Sequence, residues 1–166
     1  AEPIFIDCDE HLNIDVDILR SSLGPADIKA IMPVHMFGNP CNMLEINKLA
    51  HEYGIVVVED ACEAIGSVSN DGACGGAADI GIFSFSFNKM ITSGNGGMIL
   101  VNDHVIADKI RYWITQSKDD PVNYIHNEIG YNLGLTNIQA ALGLAQFERL
   151  DTFINRKTEI IHQYAA

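Results

Sequence analysis

The feature of this sequence that most constrains its fold is a short apolar run at residues 55–58, Ile-Val-Val-Val, directly after a capped helical pattern. An uninterrupted apolar run of this length is typical of a parallel strand that is covered on both faces. The helical pattern begins with Asn42 and Glu45 at capping-box spacing and ends at Gly54, which suits a C-terminal cap. A helix joined to a buried strand by one glycine predicts an α/β unit.

The rest of the chain repeats this alternation of strands and helices. Further strands are predicted at residues 4–7, 28–34, 80–85 and 97–101. Helices are predicted at about residues 15–23, for a turn or two after Asp60, from Asp103 onwards, and from Thr136 towards Ile161, where Gln139 completes a second capping box. Gly24 and Pro25 are predicted to end the first of these helices, and residues 35–40, 70–78 and 117–128 are predicted loops. The order of elements indicates an α/β domain with a mostly parallel sheet.

Length and charge limit the classes of partner. The chain has 166 residues with 48% hydrophobic content, enough for one substantial core. Its net charge of −12 argues against nucleic acid or an anionic membrane as the main partner. No apolar run approaches the roughly 20 residues that a membrane helix needs. Because the sequence opens on a strand-like segment without an initiator Met, we expect it to be a fragment of a larger protein.

The cysteines and histidines predict neither disulfides nor a metal centre. Four cysteines are widely spaced without a CxxC pair, at positions 8, 41, 62 and 74. This spacing favours reduced thiols in a cytoplasmic protein. The six histidines form no HxH or HExxH pattern, so we expect no metal site.

The candidate chemistry centres on Lys89, which follows the strand-like run IFSFSF and precedes three glycines. A lysine at the mouth of a sheet can lose solvation and become a nucleophilic amine. Ligands of open α/β sheets collect at the carboxyl ends of strands, where Asp60, Ser84 and Ser86 are also predicted to lie. An acid, small hydroxyls and a lysine at one sheet edge suggest pyridoxal phosphate, since its aldehyde, ring nitrogen and phosphate need such groups.

Other interpretations of these residues stay open at this point. Lys89 could simply end an edge strand in water, and Asp60 could cap the helix that follows it. Ser84 and Ser86 could form the polar side of their strand. The glycines after Lys89 do not have GxGxxG spacing, which favours turns over a dinucleotide-binding loop.

Four segments carry a resemblance to a known family: PVHMFGNPCNM (33–43), VVVEDACEAIGS (56–67), FSFSFNKMITSGNGGMILVND (83–103) and GYNLGLTNIQAALGLAQFERLD (130–151). In this order they resemble the DegT/DnrJ/EryC1/StrS sugar-nucleotide aminotransferase family of fold type I pyridoxal-phosphate enzymes. The resemblance implies an aspartate-aminotransferase-like large domain, a three-layer α/β/α structure with a mostly parallel sheet. Residues 1–166 would be the central part of that pyridoxal-phosphate-binding domain, without its N-terminal segment and without the C-terminal small domain.

The resemblance also implies a role for each matching residue. Lys89 resembles the lysine that forms the Schiff base and shuttles the proton, and Asp60 the partner of the pyridinium nitrogen. Glu63, at a position that is often glutamine in the family, would approach the ring hydroxyl. Ser84 resembles the phosphate-binding serine. Asn132 resembles an asparagine that reaches the cofactor phosphate of the neighbouring subunit, which implies a homodimer with shared active sites.

The implied reaction moves an amino group from L-glutamate to a nucleotide-linked 4-keto-6-deoxy sugar. The stretch at residues 115–132 is most similar to the subgroup that makes UDP- or GDP-linked 4-amino-4,6-dideoxy sugars, of the bacillosamine and legionaminic acid type. Lys89 argues against a sugar-nucleotide dehydratase variant, in which histidine replaces the lysine. Leu133 and Gly134 depart from the Tyr-Arg pair that is common in the family. A non-catalytic relative, or an inert fragment with a role in assembly or regulation, is the alternative, and the isolated fragment is expected to be inactive.

Overall fold

The computed structural model describes residues 1–24 and 27–165. Its strands are β1 (Ala30–Ile31), β2 (Val56–Asp60), β3 (Val68–Ser69), β4 (Gly72–Ala73), β5 (Ile80–Ser84), β6 (Gly97–Val101), β7 (Lys118–Asp120) and β8 (Ile125–His126). Its α-helices are α1 (Val16–Leu23), α2 (Met43–Tyr53), α3 (His104–Ile114), α4 (Asn137–Phe147) and α5 (Leu150–Ala165), and a short 3₁₀ helix covers Met36–Gly38.

The central sheet has the strand order β1-β2-β5-β6. β1, β2 and β5 run parallel, whereas β6 returns antiparallel to β5 and forms one edge. The pairs β3–β4 and β7–β8 are separate antiparallel hairpins. The predicted α/β class with a mostly parallel sheet is therefore confirmed.

The main core lies where α1 and α2 pack against β1 and β2. Asp15 caps α1 by accepting hydrogen bonds from two backbone N–H groups, and Asn42 caps α2 by accepting one, from Glu45 N–H. Gly54 ends α2 in the left-handed conformation at φ 66°, as its sequence position predicts. The two helices bury one apolar stripe each, which consists of Leu19, Leu23, Met43, Ile46, Leu49 and Ala50. Burial of each large side chain of this kind contributes about 1.5–3 kcal/mol, so this cluster holds the helices on the sheet.

Two strand predictions are wrong in part because strands need partners. Residues 4–7 form no strand; directly after them, Cys8 forms an isolated bridge with Ile14, and the Asp7 carbonyl accepts a hydrogen bond from Asp15 N–H. β1 is two residues long instead of seven, and its carboxyl end is interrupted because Pro33 has no N–H to donate to a ladder. Pairing with β2 resumes in a single bridge between Val34 and Asp60.

Other differences lie in segments that were predicted as loops or continuous helix. The predicted helical turns after Asp60 are tight turns without a helix. The loops at 70–78 and 117–128 contain β4 and the β7–β8 hairpin. The long helix from Thr136 has the predicted capping box but divides at Glu148 and Arg149. There Arg149 N–H donates to the carbonyl of Gln146, three residues back, and not to a carbonyl four residues back as in an α-helix. Pro25, predicted to help end α1, lies outside the described residues.

All four cysteines are unpaired thiols, as their spacing predicts. Among the residues that the structure describes, no helix is both long and apolar enough to cross a membrane.

We predict that Gly81→Ala destabilises this sheet by about 1–3 kcal/mol, the usual cost of overpacking a core. A Cβ at Gly81, in β5, would overlap the backbone carbonyl of Gly75, and two backbones cannot move apart by a side-chain rotation. Gly76→Ala is the matched control, because a Cβ there would lie 3.4 Å from the carbonyl oxygen of Ala73, which is an ordinary van der Waals distance. Urea denaturation of the full-length variants measures both effects, and equal midpoints would contradict the prediction.

Candidate active site

Lys89 lies in the loop that joins β5 to β6, at the carboxyl end of β5. A tight turn holds its backbone, because Lys89 N–H donates to the carbonyl of Ser86 over 3.1 Å. Its Nζ lies 3.3 Å from Oε1 of Glu63, and only 17% of its side chain is exposed. The structure therefore gives this lysine a carboxylate partner, although it has no acidic neighbour in sequence.

Glu63 joins two parts of the site. Its Oε2 accepts a hydrogen bond of 2.9 Å from the N–H of Phe37, while its Oε1 faces Lys89. The hydrogen bond from Phe37 and the ammonium of Lys89 both lower the pKa of Glu63, so its carboxylate is ionised near neutral pH. Phe37 itself has φ 55°, an unfavourable backbone conformation for an aromatic residue. Strain of this kind is common beside functional sites.

Asp60 is the last residue of β2, at the same edge of the sheet. Its Oδ1 accepts a hydrogen bond of 3.0 Å from Cys62 N–H, so it caps a turn and no helix. Burial, Asp60 and Glu63 together raise the pKa of the Cys62 thiol to about 11, while the ammonium of Lys89 opposes them. Asp60, Glu63 and Lys89 thus lie close enough to act on one thiol.

Ser84 ends β5, which pairs in parallel with β2, so both strands deliver their carboxyl ends to one edge. The Oγ atoms of Ser84 and Ser86 lie 3.1 Å apart, and Ser86 N–H also donates to Ser84 Oγ. Within the described part of the chain, no hydrogen bond joins Ser84 to Lys89. The two serines therefore form a small hydroxyl pair beside the lysine turn.

Asn132 is not brought into this cluster by any hydrogen bond between described residues. It forms an isolated bridge with Thr115 after α3, and it is exposed, as is Leu133. Its predicted role toward a neighbouring subunit stays a prediction.

The sequence interpretation missed a buried pair behind the site, His35 and Glu59. Both side chains are fully buried, and Nε2 of His35 lies 2.7 Å from Oε1 of Glu59. The consecutive acids Glu59 and Asp60 at the end of a predicted strand could have indicated a buried carboxylate. Because successive side chains of a strand point to opposite faces, one of the two had to enter the core and needed a buried donor.

Comparison with known proteins gives consistent matches along the chain. The family model described as DegT/DnrJ/EryC1/StrS aminotransferase family matches residues 1–166. The chain is 42% identical over 165 residues to a GDP-perosamine synthase of Escherichia coli O157:H7, covering 99% of this chain and 45% of that protein. It is 37% identical over 170 residues to the putative pyridoxal phosphate-dependent aminotransferase EpsN of Bacillus subtilis (strain 168), covering 99% and 44%.

Among solved structures, the aminotransferase TlmJ from Streptoalloteichus hindustanus superposes with a TM-score of 0.91 at 31% identity. This match covers 98% of the chain and 44% of that structure. The predicted aminotransferase fold is confirmed by this likeness. The chain spans less than half the length of the relatives it matches.

Proposed function

Because the chain belongs to the DegT/DnrJ/EryC1/StrS aminotransferase family, we propose that it forms the central part of the large domain of a pyridoxal-phosphate-dependent sugar-nucleotide aminotransferase. The observation that carries the proposal is the largely buried side chain of Lys89, whose Nζ lies 3.3 Å from the Glu63 carboxylate, at the sheet edge that also holds Asp60 and Ser84. The domain's remaining segments and a smaller second domain would lie outside these 166 residues.

The groups at this edge fit pyridoxal phosphate by their chemistry. The cofactor, when bound, supplies an aldehyde that accepts an amino group and a cationic ring that withdraws electrons from the reacting carbon. Lys89 Nζ would hold the aldehyde carbon and Asp60 would keep a proton on the ring nitrogen. Ser84 Oγ would donate to the phosphate. Glu63 would accept a hydrogen bond from the ring hydroxyl through Oε1, since its Oε2 is occupied by Phe37 N–H.

The proton transfers would belong to Lys89. As a neutral amine released from the aldehyde, its Nζ would take the proton from the donor's α-carbon and return one to the cofactor. In the second half of the reaction the direction reverses, and the sugar carbon gains the amino group. The 3.3 Å distance from Lys89 Nζ to Glu63 Oε1 supports the placement of this amine, because it holds the free lysine at the edge of the sheet where the cofactor ring would lie.

The proposed substrates are L-glutamate and a nucleotide-linked 4-keto-6-deoxy sugar. A relative named GDP-perosamine synthase supports a GDP-linked sugar within the wider choice of UDP- or GDP-linked ones. The exposed position of Asn132 is compatible with a contact to the cofactor phosphate of a second subunit, and we propose a homodimer with shared sites. A lysine at position 89 supports transamination over dehydration.

The two half-reactions test this proposal separately in the full-length protein. We expect L-glutamate alone to release one equivalent of 2-oxoglutarate per loaded site, with loss of the visible cofactor band. A 4-keto-6-deoxy sugar bound to GDP or UDP should then restore the band and gain an amino group, measured by mass spectrometry. Release of water from the sugar in place of amination would identify a dehydratase. Failure to bind cofactor would identify a non-catalytic relative.

A further inference from the structure

Behind the candidate site lies a buried group of three side chains, His35, Glu59 and Cys74, whose ligand-type atoms all lie within 4.8 Å of one another. Such a set could hold a metal ion, but the hydrogen bonds oppose this. Nδ1 of His35 accepts a bond of 2.9 Å from Cys41 N–H, so the ring proton is on Nε2 and points at Glu59. Burial raises the pKa of Cys74 to about 11, which leaves its thiol protonated. The group is therefore a hydrogen-bonded unit.

Glu59 is the centre of this unit. Burial by itself raises the pKa of this carboxyl, but hydrogen bonds from His35, Gly75 and Ala77 outweigh burial and lower it. The carboxylate is therefore charged inside the core, where only well-placed donors can replace water. Gly75 and Ala77 belong to the loop before β5, so Glu59 ties that loop to β2.

The same unit holds the backbone of Asp60 from both sides. Asp60 N–H donates to the carbonyl of Pro33 over 2.9 Å, and the Asp60 carbonyl accepts from His35 N–H over 3.1 Å. Two residues further along, Phe37 N–H holds Glu63. The side-chain bond between His35 and Glu59 therefore fastens the segment at residues 33–38 to the strand that carries Asp60.

We propose that His35 is a positioning residue of the active site: its Nε2–H bond to Glu59 fixes the end of β2 and the 33–38 segment, and so sets where Asp60 and Glu63 meet the cofactor. This inference rests on the proposed function, because it assigns Asp60 and Glu63 to cofactor binding.

Two isosteric substitutions separate the two bonds of the ring. In His35→Gln the amide nitrogen reaches the place of Nε2, so the bond to Glu59 is kept and the acceptor for Cys41 N–H is lost. In His35→Asn the amide oxygen takes the place of Nδ1, so the bond from Cys41 is kept and the bond to Glu59 is lost. Each variant loses one buried hydrogen bond, so similar losses of stability are expected.

The test measures pyridoxal phosphate binding by the full-length apoenzyme, together with the pH titration of the visible band. We expect His35→Asn to weaken cofactor binding by about tenfold or more and to shift the titration, and His35→Gln to stay within about threefold of wild type. The inference would be overturned if cofactor affinity fell equally in both variants, in proportion to their loss of stability, or if it fell in neither. A wild-type protein that binds no cofactor would instead overturn the proposed function, and this inference with it.

A second variant keeps the inference testable if His35→Asn does not fold. Glu59→Gln keeps one amide oxygen that accepts from His35 and Gly75 more weakly than a carboxylate, and it places its NH2 group against the N–H of Ala77, so we expect cofactor affinity to fall by about threefold to tenfold. Affinity equal to that of wild type would contradict a role for the His35–Glu59 bond in placing Asp60.

Discussion

Lys89→Ala is expected to lower the rate of 2-oxoglutarate release from L-glutamate by at least about 10³-fold in the full-length enzyme. Alanine has no amine to hold the cofactor's aldehyde carbon and none to move the proton from the substrate carbon. The loss also removes the 3.3 Å contact with Glu63, so the carboxylate there faces the cofactor alone. The rate, the visible band and cofactor affinity are all measured on the same preparation.

Two further variants separate the functions of this side chain. Lys89→Arg keeps a positive charge near Glu63 but cannot bond to the aldehyde, so it should be as inactive as Lys89→Ala. Lys48→Ala removes an exposed lysine of α2 and should behave as wild type.

Chemical labelling adds an independent readout. Borohydride reduction of the loaded wild-type protein should fix the cofactor covalently to the peptide that contains Lys89. Label on another lysine, or turnover by Lys89→Ala, would remove the central assumption of the proposal.

The sheet edge could be predicted from sequence, whereas the contact between Lys89 and Glu63 could not. Apolar runs ending in Asp60 and Ser84 predicted strand ends, and parallel strands bring such ends to one edge. Glu63 was expected on a helical turn, where its direction would have differed. The tight turns that follow Asp60 instead direct its carboxylate to a lysine that is 26 residues away in sequence.

Helix starts were predicted well because their signals are local. Asn42, Asp103 and Thr136 all accept hydrogen bonds from the first turn of their helices, as their side chains and the residues that follow predicted. Asp15 also caps its helix, which was predicted to begin at about this residue. A strand depends on a partner that local sequence does not specify. For this reason the strand predicted at residues 4–7 was wrong, and the β7–β8 hairpin was not predicted. The His35–Glu59 bond joins positions 24 residues apart, and no local pattern specifies such a pair.

Asp60→Asn is the second substitution for which we expect a large effect, a fall in turnover of about 10²-fold or more in a protein that still folds and binds cofactor. Asparagine keeps the oxygen that accepts from Cys62 N–H, so the turn after β2 is preserved. It removes the negative charge that would hold a proton on the ring nitrogen, and the ring then withdraws electrons less strongly. Asp103→Asn is the control, since Asp103 also accepts from the N–H two residues on but caps the exposed start of α3.

A cofactor analogue with a methyl group on its ring nitrogen distinguishes charge from shape at Asp60. The methylated ring is positively charged without a proton, so it no longer needs a carboxylate to hold one. We therefore expect this analogue to restore much of the lost turnover to Asp60→Asn and to give no gain in wild type. If Asp60 acts only by shaping the turn that leads to Glu63, Asp60→Asn keeps that turn and will lose little turnover, and the analogue will make no difference to it. That outcome would remove Asp60 from cofactor chemistry and leave the reacting role to Lys89, with Glu63 and Ser84 as binding residues.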